Sequence, residues 1–99
     1  MRTLLRITIP VKAGNAAIND GSLPQTMESL MEQLKPEAAY FVAHLGMRSA
    51  LIVFDLKDPS QIPQIAEPLF QGFKAAVEFA PVMNADDLRA GLEAATQRR

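Results

Sequence analysis

Two strand-like segments at the centre of the chain lie only two residues apart, and this spacing constrains the fold more than any other feature. Residues 38–45 (AAYFVAHL) and 48–56 (RSALIVFDL) are rich in apolar and β-branched side chains, and only Gly46 and Met47 separate them. A two-residue connection joins antiparallel neighbours. The sequence therefore predicts a β-hairpin with its turn at Gly46-Met47.

A strand and a helix are predicted before the hairpin. Residues 3–10 alternate between apolar and polar side chains and end at a proline, as expected for a strand. Residues 11–21 are less regular, and Asn15 is predicted to cap a short helical turn that Gly21 ends. A clearer helix is predicted from Ser22 to Leu34, with Ser22 and Gln25 in capping-box spacing.

A second helix, a fourth strand and a last helix are predicted after the hairpin. Residues 58–61 are expected to open the helix, and Pro68 is expected to kink or shorten its end. Residues 73–82 are predicted to form the strand. Asn84 is predicted to cap the last helix, and the pair 98–99 (Arg-Arg) suits its C-terminal end. The apolar stripe of that helix comprises Leu88, Leu92 and Ala95.

The order of these elements is β-α-β-β-α-β followed by a helix. It predicts an α+β, ferredoxin-like domain with a four-stranded antiparallel sheet and both crossover helices on one face. A length of 99 residues predicts a single domain, 1–99.

The predicted hairpin also sorts the strand residues into two faces. Pairing about Gly46-Met47 places His44 opposite Ser49 and Val42 opposite Leu51. One face is uniformly apolar and is expected to lie under the helices; its hairpin members are Ala39, Phe41, Ala43, Ala50, Ile52 and Phe54. The other face is mixed and too apolar at its centre for water, which predicts a homodimer through the sheet face.

Several stretches of the chain resemble a family of small, uncharacterised bacterial proteins with the dimeric α/β-barrel fold. The similar stretches are 14–22, 37–41, 46–48, 58–63, 66–68 and 81–83. The resemblance implies that two ferredoxin-like sheets close into one barrel. The wider superfamily contains cofactor-independent monooxygenases, haem-degrading enzymes, lactone isomerases and binding modules, so the fold alone selects no activity.

Composition narrows the chemistry. The chain has no cysteine and a single histidine, which argues against a thiolate or histidine-rich metal site, and no motif indicates a cofactor. A net charge of −1 gives no sign of a nucleic-acid-binding surface. No apolar run reaches the length of a membrane span, and no signal peptide is recognisable. We expect a soluble, cytoplasmic protein.

Polar residues on the mixed sheet face form the first candidate site. Arg6 and Glu78 are expected on neighbouring strands, where the pair could bind a small anionic ligand together with Tyr40. The alternative is an interface salt bridge that fixes the register of the dimer. For an enzyme, Tyr40 or His44 would orient the substrate, and Glu78 or Asp55 would take a proton.

Residues 11–21 and the adjoining Ser22 form the second candidate site. Asn15 and Ser22 lie in a small, polar stretch before a helix, where an anion could bind. No phosphate-binding glycine motif is present, and helix capping is a sufficient explanation of both residues.

The function predicted from the sequence is a homodimeric small-molecule-binding or regulatory module. The alternatives are a cofactor-independent enzyme of the monooxygenase or isomerase type and a purely structural interaction module. The ligand and the pathway are not specified by the sequence.

Overall fold

A computed structural model describes residues 1–97 of the chain, which form four strands and four helices. The strands are β1 (Arg2–Ile9), β2 (Ala38–His44), β3 (Met47–Asp55) and β4 (Ala76–Pro81). The helices are α1 (Val11–Asn19), α2 (Ser22–Leu34), α3 (Gln61–Phe73) and α4 (Ala85–Gln97). The order agrees with the predicted one, except that the first crossover contains two helices.

The four strands form one open, antiparallel sheet in the order β2-β3-β1-β4. β1 lies at the centre beside β4, as the predicted arrangement requires. The fold is therefore α+β with a four-stranded antiparallel sheet, and this part of the prediction is confirmed.

The hairpin turn lies one residue earlier than predicted. Leu45 and Gly46 form it, with φ angles of 53° and 77°, which is the left-handed geometry of a tight hairpin turn. His44 consequently pairs with Met47, and Val42 pairs with Ser49, so the predicted pairing was wrong by two residues. An even shift keeps every side chain on its face, and the predicted division into two faces survives.

The core lies between one face of the sheet and the helices α1, α2 and α3. Leu5, Ile7, Ile52 and Phe54 are at most 1% exposed on the sheet side. Helix residues complete this core, namely Ala17, Leu23, Leu30, Leu34, Ile65, Leu69 and Phe73. Alternate burial along β1 is the direct result of its period-two sequence.

The first crossover differs from the prediction at both expected caps. α1 begins directly after Pro10, whose carbonyl accepts a hydrogen bond from the amide of Gly14 at 2.9 Å. Asn15 consequently lies in the middle of the helix and caps nothing. Gly21, with φ of 80°, separates the two helices and is the N-cap of α2. Ser22 is therefore already helical, and the predicted capping box is absent.

The end of α3 also lies beyond its predicted position. Pro68 is inside the helix, which continues for five more residues to Phe73. Phe73 is 2% exposed and belongs to the core, and Lys74 turns the chain with φ of 53°. β4 starts only at Ala76, so the prediction of a strand from residue 73 was wrong. The aromatic and β-branched residues of 73–82 favour a strand. Residue 73 is nevertheless helical, because its side chain packs in the core at the end of α3.

α4 is well capped and lies outside the core. Its predicted cap is confirmed, because Asn84 Oδ1 accepts the amide of Asp87 at 2.8 Å and Asp87 Oδ2 accepts the amide of Asn84 at 3.1 Å. None of the residues of α4 is buried, and Leu88 and Leu92 are 47% and 57% exposed. The predicted role of residues 98–99 lies outside the described residues. Within 1–97, no helix combines the length and apolar character needed to cross a membrane.

Candidate functional site

The face of the sheet opposite the helices, called here the open face, carries most of the candidate residues. Four of its residues form one row across the strands in the order Tyr40, Leu51, Arg6 and Glu78. The prediction that Arg6 and Glu78 are cross-strand neighbours is therefore confirmed. Arg6 is half-buried and Glu78 is exposed, and the two form no ion pair with each other among the described residues.

Tyr40 and Glu78 lie at opposite edges of the sheet. Three interstrand spacings of about 4.8 Å separate them, or about 14 Å. Within one protomer Arg6 and Glu78 lie on adjacent strands, and Tyr40 lies two strands away from Arg6 in the same row.

His44 and Asp55 lie at opposite ends of the hairpin. His44 is next to the turn and pairs with Met47, whereas Asp55 pairs with Arg2 near the other end of the sheet. A single protomer therefore does not assemble the predicted catalytic residues around one point.

Asp55 is held by two cations. Its Oδ1 accepts a hydrogen bond from the terminal ammonium of Met1 at 2.6 Å, and its Oδ2 accepts one from Lys57 Nζ at 3.0 Å. These hydrogen bonds and the accompanying charge attraction lower the pKa of Asp55 to about 2. A carboxylate with so low a pKa is a weak general base near neutral pH.

A groove lies on the other face of the sheet, between α1, α2 and the hairpin; we call it the helix–sheet groove. Its volume is about 580 Å³. Apolar residues make up much of its lining, including Ile9, Val11, Leu23, Met27 and Phe41. The groove is thus on the helix-covered face, whereas the first of the two predicted sites lies on the open face.

The groove exists because the helices do not cover the edge strand β2. Phe41 was expected beneath the helices but is 62% exposed, and Ala43 on the same face is exposed as well. Side chains of α1 and α2 pack instead with Ile9 and Ala50 of the two central strands. The C-terminal half of β2 is left as a wall with apolar side chains and no helix above it.

Arg48 is the only cationic side chain in the groove wall within residues 1–97. It lies on the helix-covered face, because it pairs with Ile9 and Ala43. Its Nη2 donates a hydrogen bond to Asn15 Oδ1 at 3.0 Å. The guanidinium also passes close to Gly14, where an added Cβ would lie 2.6 Å from Nη1. Glycine at position 14 therefore gives Arg48 the space to reach Asn15.

Of the two residues predicted for the second candidate site, Asn15 and Ser22, one lies in the groove. Asn15 contributes to the groove wall, and Ser22 does not. Ser22 instead donates its amide to Asp20 Oδ1 at 2.8 Å, and hydrogen bonding by Ser22 lowers the pKa of Asp20. Ser22 and Asp20 thus form a local turn between α1 and α2.

Sequence reasoning missed Arg48. The signal was present in the alternation of β3, because Ala50, Ile52 and Phe54 define an apolar face on which residue 48 also falls. A charged residue in such a series calls for an explanation. Its partner Asn15 is 33 residues away in the chain, so the pair itself was beyond local pattern analysis.

Other parts of the described chain contain a second, smaller cleft and no cluster of metal-ligating side chains. A cleft of about 160 Å³ lies between α2 and α3, lined by side chains such as Gln33, Gln64 and Leu69. Within residues 1–97, no three His, Cys, Asp or Glu residues are grouped so that they could hold a metal ion.

Comparisons with known proteins add no assignment. No protein-family model matches the chain, and the search of curated proteins found no match. The resemblance to a bacterial dimeric α/β-barrel family therefore stays a prediction.

Proposed function

We propose that the protein is a homodimeric module that binds a small molecule in the helix–sheet groove. The volume of the groove, about 580 Å³, carries this proposal. Sites for small molecules typically measure about 300–1,000 Å³ and combine an apolar lining with a few polar groups. Asn15 and Arg48 supply polar groups in this wall.

Binding in the groove is testable with a reporter, because the chain contains no tryptophan. Phe41 in the groove and Tyr40 on the open face are adjacent in β2 and are 62% and 68% exposed. Phe41→Trp and Tyr40→Trp are therefore a matched pair that places the same fluorophore on opposite faces of one strand.

The titrant is octanol, a neutral molecule with an apolar body. We expect a saturable blue shift of the emission from Phe41→Trp, because the ligand displaces water from the indole. The emission from Tyr40→Trp should not shift over the same range. Equal shifts in both variants would indicate non-specific adsorption, and the absence of a shift in Phe41→Trp with octanol and with its charged analogues octanoate and octylamine would refute binding in the groove.

The proposed dimer joins two open faces, as in a dimeric α/β barrel. The support is the apolar surface that β2 and β3 leave on this face: Val42 is 47% exposed, and Leu51 and Val53 are half-buried in one protomer. Adjacent exposed apolar side chains of this kind are characteristic of interaction surfaces.

Val53→Asp tests the dimer, because the residues opposite Val53 are Leu4 and Ala38, and a second open face would bury the new charge without a partner. Size-exclusion chromatography with light scattering should give a dimer for the parent and a monomer for the variant. Leu45→Asp is the control, since Leu45 is 81% exposed in the hairpin turn, away from the open face. A monomeric parent at micromolar concentration would rule out the dimer and leave the proposal on the groove intact.

A further inference from the structure

We infer that the helix–sheet groove selects an apolar monocarboxylate, with the guanidinium of Arg48 binding the carboxylate. The inference rests on the proposed function and names the class of its ligand. Three observations carry it: the position of Arg48, its unused hydrogen-bonding capacity, and the apolar character of the surrounding wall.

Arg48 is an exposed side chain whose guanidinium is oriented by one hydrogen bond and by one close approach to a helix. Asn15 Oδ1 accepts a hydrogen bond from Nη2 at 3.0 Å, and Gly14 leaves room for the guanidinium where a Cβ would lie 2.6 Å from Nη1. A guanidinium held in this way has lost part of its conformational freedom before a ligand arrives. Preorganisation of this kind raises affinity because less entropy is lost on binding.

Arg48 retains donors and a positive charge for a ligand. The guanidinium has five N–H donors, and the bond to Asn15 uses one of them. Within residues 1–97, ion pairs join other cations to carboxylates, but none includes Arg48. A carboxylate matches the remaining fork of donors in shape and in charge.

The rest of the groove wall indicates that the part of the ligand outside its carboxylate is apolar. Leu23, Met27 and Phe41 present apolar surface, and methionine side chains adapt to ligands of different shapes. A carboxylate on an apolar body therefore matches both Arg48 and the apolar wall of the groove. A compact polar anion would bind Arg48 but leave the apolar wall in contact with water.

The test compares octanoate, octanol and octylamine as titrants of Phe41→Trp. The three probes share one apolar chain and differ only in the head group. We expect octanoate to bind at least about tenfold more tightly than the other two, in line with the usual strength of a hydrogen bond to a charged group. This preference should shrink at high ionic strength, because salt screens exposed charges. The same order should appear in the thermal stabilisation of the parent protein by the three probes.

Variants of Arg48 then assign the preference to one side chain. Arg48→Met should remove the preference for octanoate and leave the binding of octanol within about twofold, whereas Arg48→Lys should retain part of it, because lysine keeps the charge and loses the planar fork. Arg89→Met, in α4 and outside the groove wall, is the matched control and should change nothing. Circular dichroism of each variant establishes that the fold is retained.

The outcomes separate this inference from the proposed function. Equal affinity for all three probes would overturn the inference and leave a groove that binds small molecules without regard to charge. A loss of the preference in Arg6→Met, and not in Arg48→Met, would also overturn it and place the anion on the open face. If Phe41→Trp responds to none of the probes, the proposed function fails as well. An emission that is already blue-shifted and turns red on dilution would show a second copy of the chain in the groove, which excludes the ligand.

Discussion

Arg48 and Gly14 are in close contact across the helix–sheet boundary: a Cβ on Gly14 would lie 2.6 Å from Nη1 and 3.4 Å from Cδ of Arg48. Gly14 is in the second turn of α1, where glycine costs about 0.5–1 kcal/mol relative to alanine. The presence of glycine at this helical position is explained by Arg48, whose guanidinium needs the space that a Cβ would occupy. The contact therefore links a residue that weakens a helix to the only cation in the described groove wall.

Replacement of Gly14 by alanine should displace Arg48 without unfolding the protein. The clash is with the far end of a flexible side chain, which can rotate away, but the new methyl group also lies 3.3 Å from Ile9 Cγ2. We expect the free energy of unfolding to change by less than about 1 kcal/mol, because the gain in helix propensity offsets this contact. The affinity for octanoate should fall at least severalfold, because Arg48 can no longer reach Asn15.

Gly72→Ala is the control for this substitution. Gly72 is helical in α3, and a Cβ there would meet nothing within 4 Å. It should stabilise the fold by up to about 1 kcal/mol and leave octanoate binding unchanged. If Gly14→Ala binds octanoate as well as Gly72→Ala does, the position of Arg48 over Gly14 is irrelevant to binding.

Two leucines in helices of equal length should respond very differently to truncation. Leu69 in α3 is 1% exposed, and Leu92 in α4 is 57% exposed. Leu69→Ala should lower the free energy of unfolding by about 2–5 kcal/mol, because it opens a cavity in the core. Leu92→Ala should change it by less than about 0.5 kcal/mol, as is usual for surface sites.

Urea denaturation of the two variants measures the difference. A loss of more than about 1 kcal/mol in Leu92→Ala would mean that α4 packs against another molecule in solution. α4 would then make contacts in solution that a single protomer does not contain.

The arrangement of the sheet was predictable because it depends on the alternation of apolar and polar side chains along each strand. The side chains of β1 alternate so regularly that its buried face, with Leu5 and Ile7, followed from the sequence. The predicted hairpin turn is one residue late, because Gly46-Met47 and Leu45-Gly46 are both possible two-residue turns. The resulting shift of two residues left the faces of the strands unchanged.

The groove was not predictable, because it depends on the extent of the helix layer. The sequence shows that Phe41 shares a face with Ile52, but it does not show that the helices stop short of β2. Arg48 and Asn15 come from elements that meet only in three dimensions. The expectation of a site on the open face arose because its polar residues, such as Arg6, are conspicuous in the alternation, whereas Arg48 is a single exception in an apolar series.

The coupling between Arg6 and Glu78 should report whether a second copy covers the open face. In one protomer the two are cross-strand neighbours without an ion pair, and Glu78 is exposed, so their coupling in water should stay below about 0.5 kcal/mol. Burial by the proposed dimer should raise it above about 1 kcal/mol, because the charges then lose their water. A double-mutant cycle of Arg6→Met and Glu78→Gln, followed by urea unfolding, measures this quantity. A coupling below about 0.5 kcal/mol in the parent would mean that the open face remains in water.

Asp55 should make the fold less stable at acid pH. Its pKa is lowered from 3.8 to about 2 in the folded protein, by hydrogen bonds from the Met1 ammonium and Lys57 and by their charges. A depressed carboxyl pKa contributes stability that is complete above the unfolded pKa and is lost as the pH falls from about 4 towards 2. Asp55→Asn should therefore flatten the dependence of unfolding free energy on pH across this range. In an NMR titration, Lys57→Met should raise the pKa of Asp55 towards its ordinary value, because one of the two cations is removed, whereas Lys12→Met in α1 should leave it unchanged. An unaltered titration of Asp55 in Lys57→Met would show that the Met1 ammonium alone holds the carboxylate.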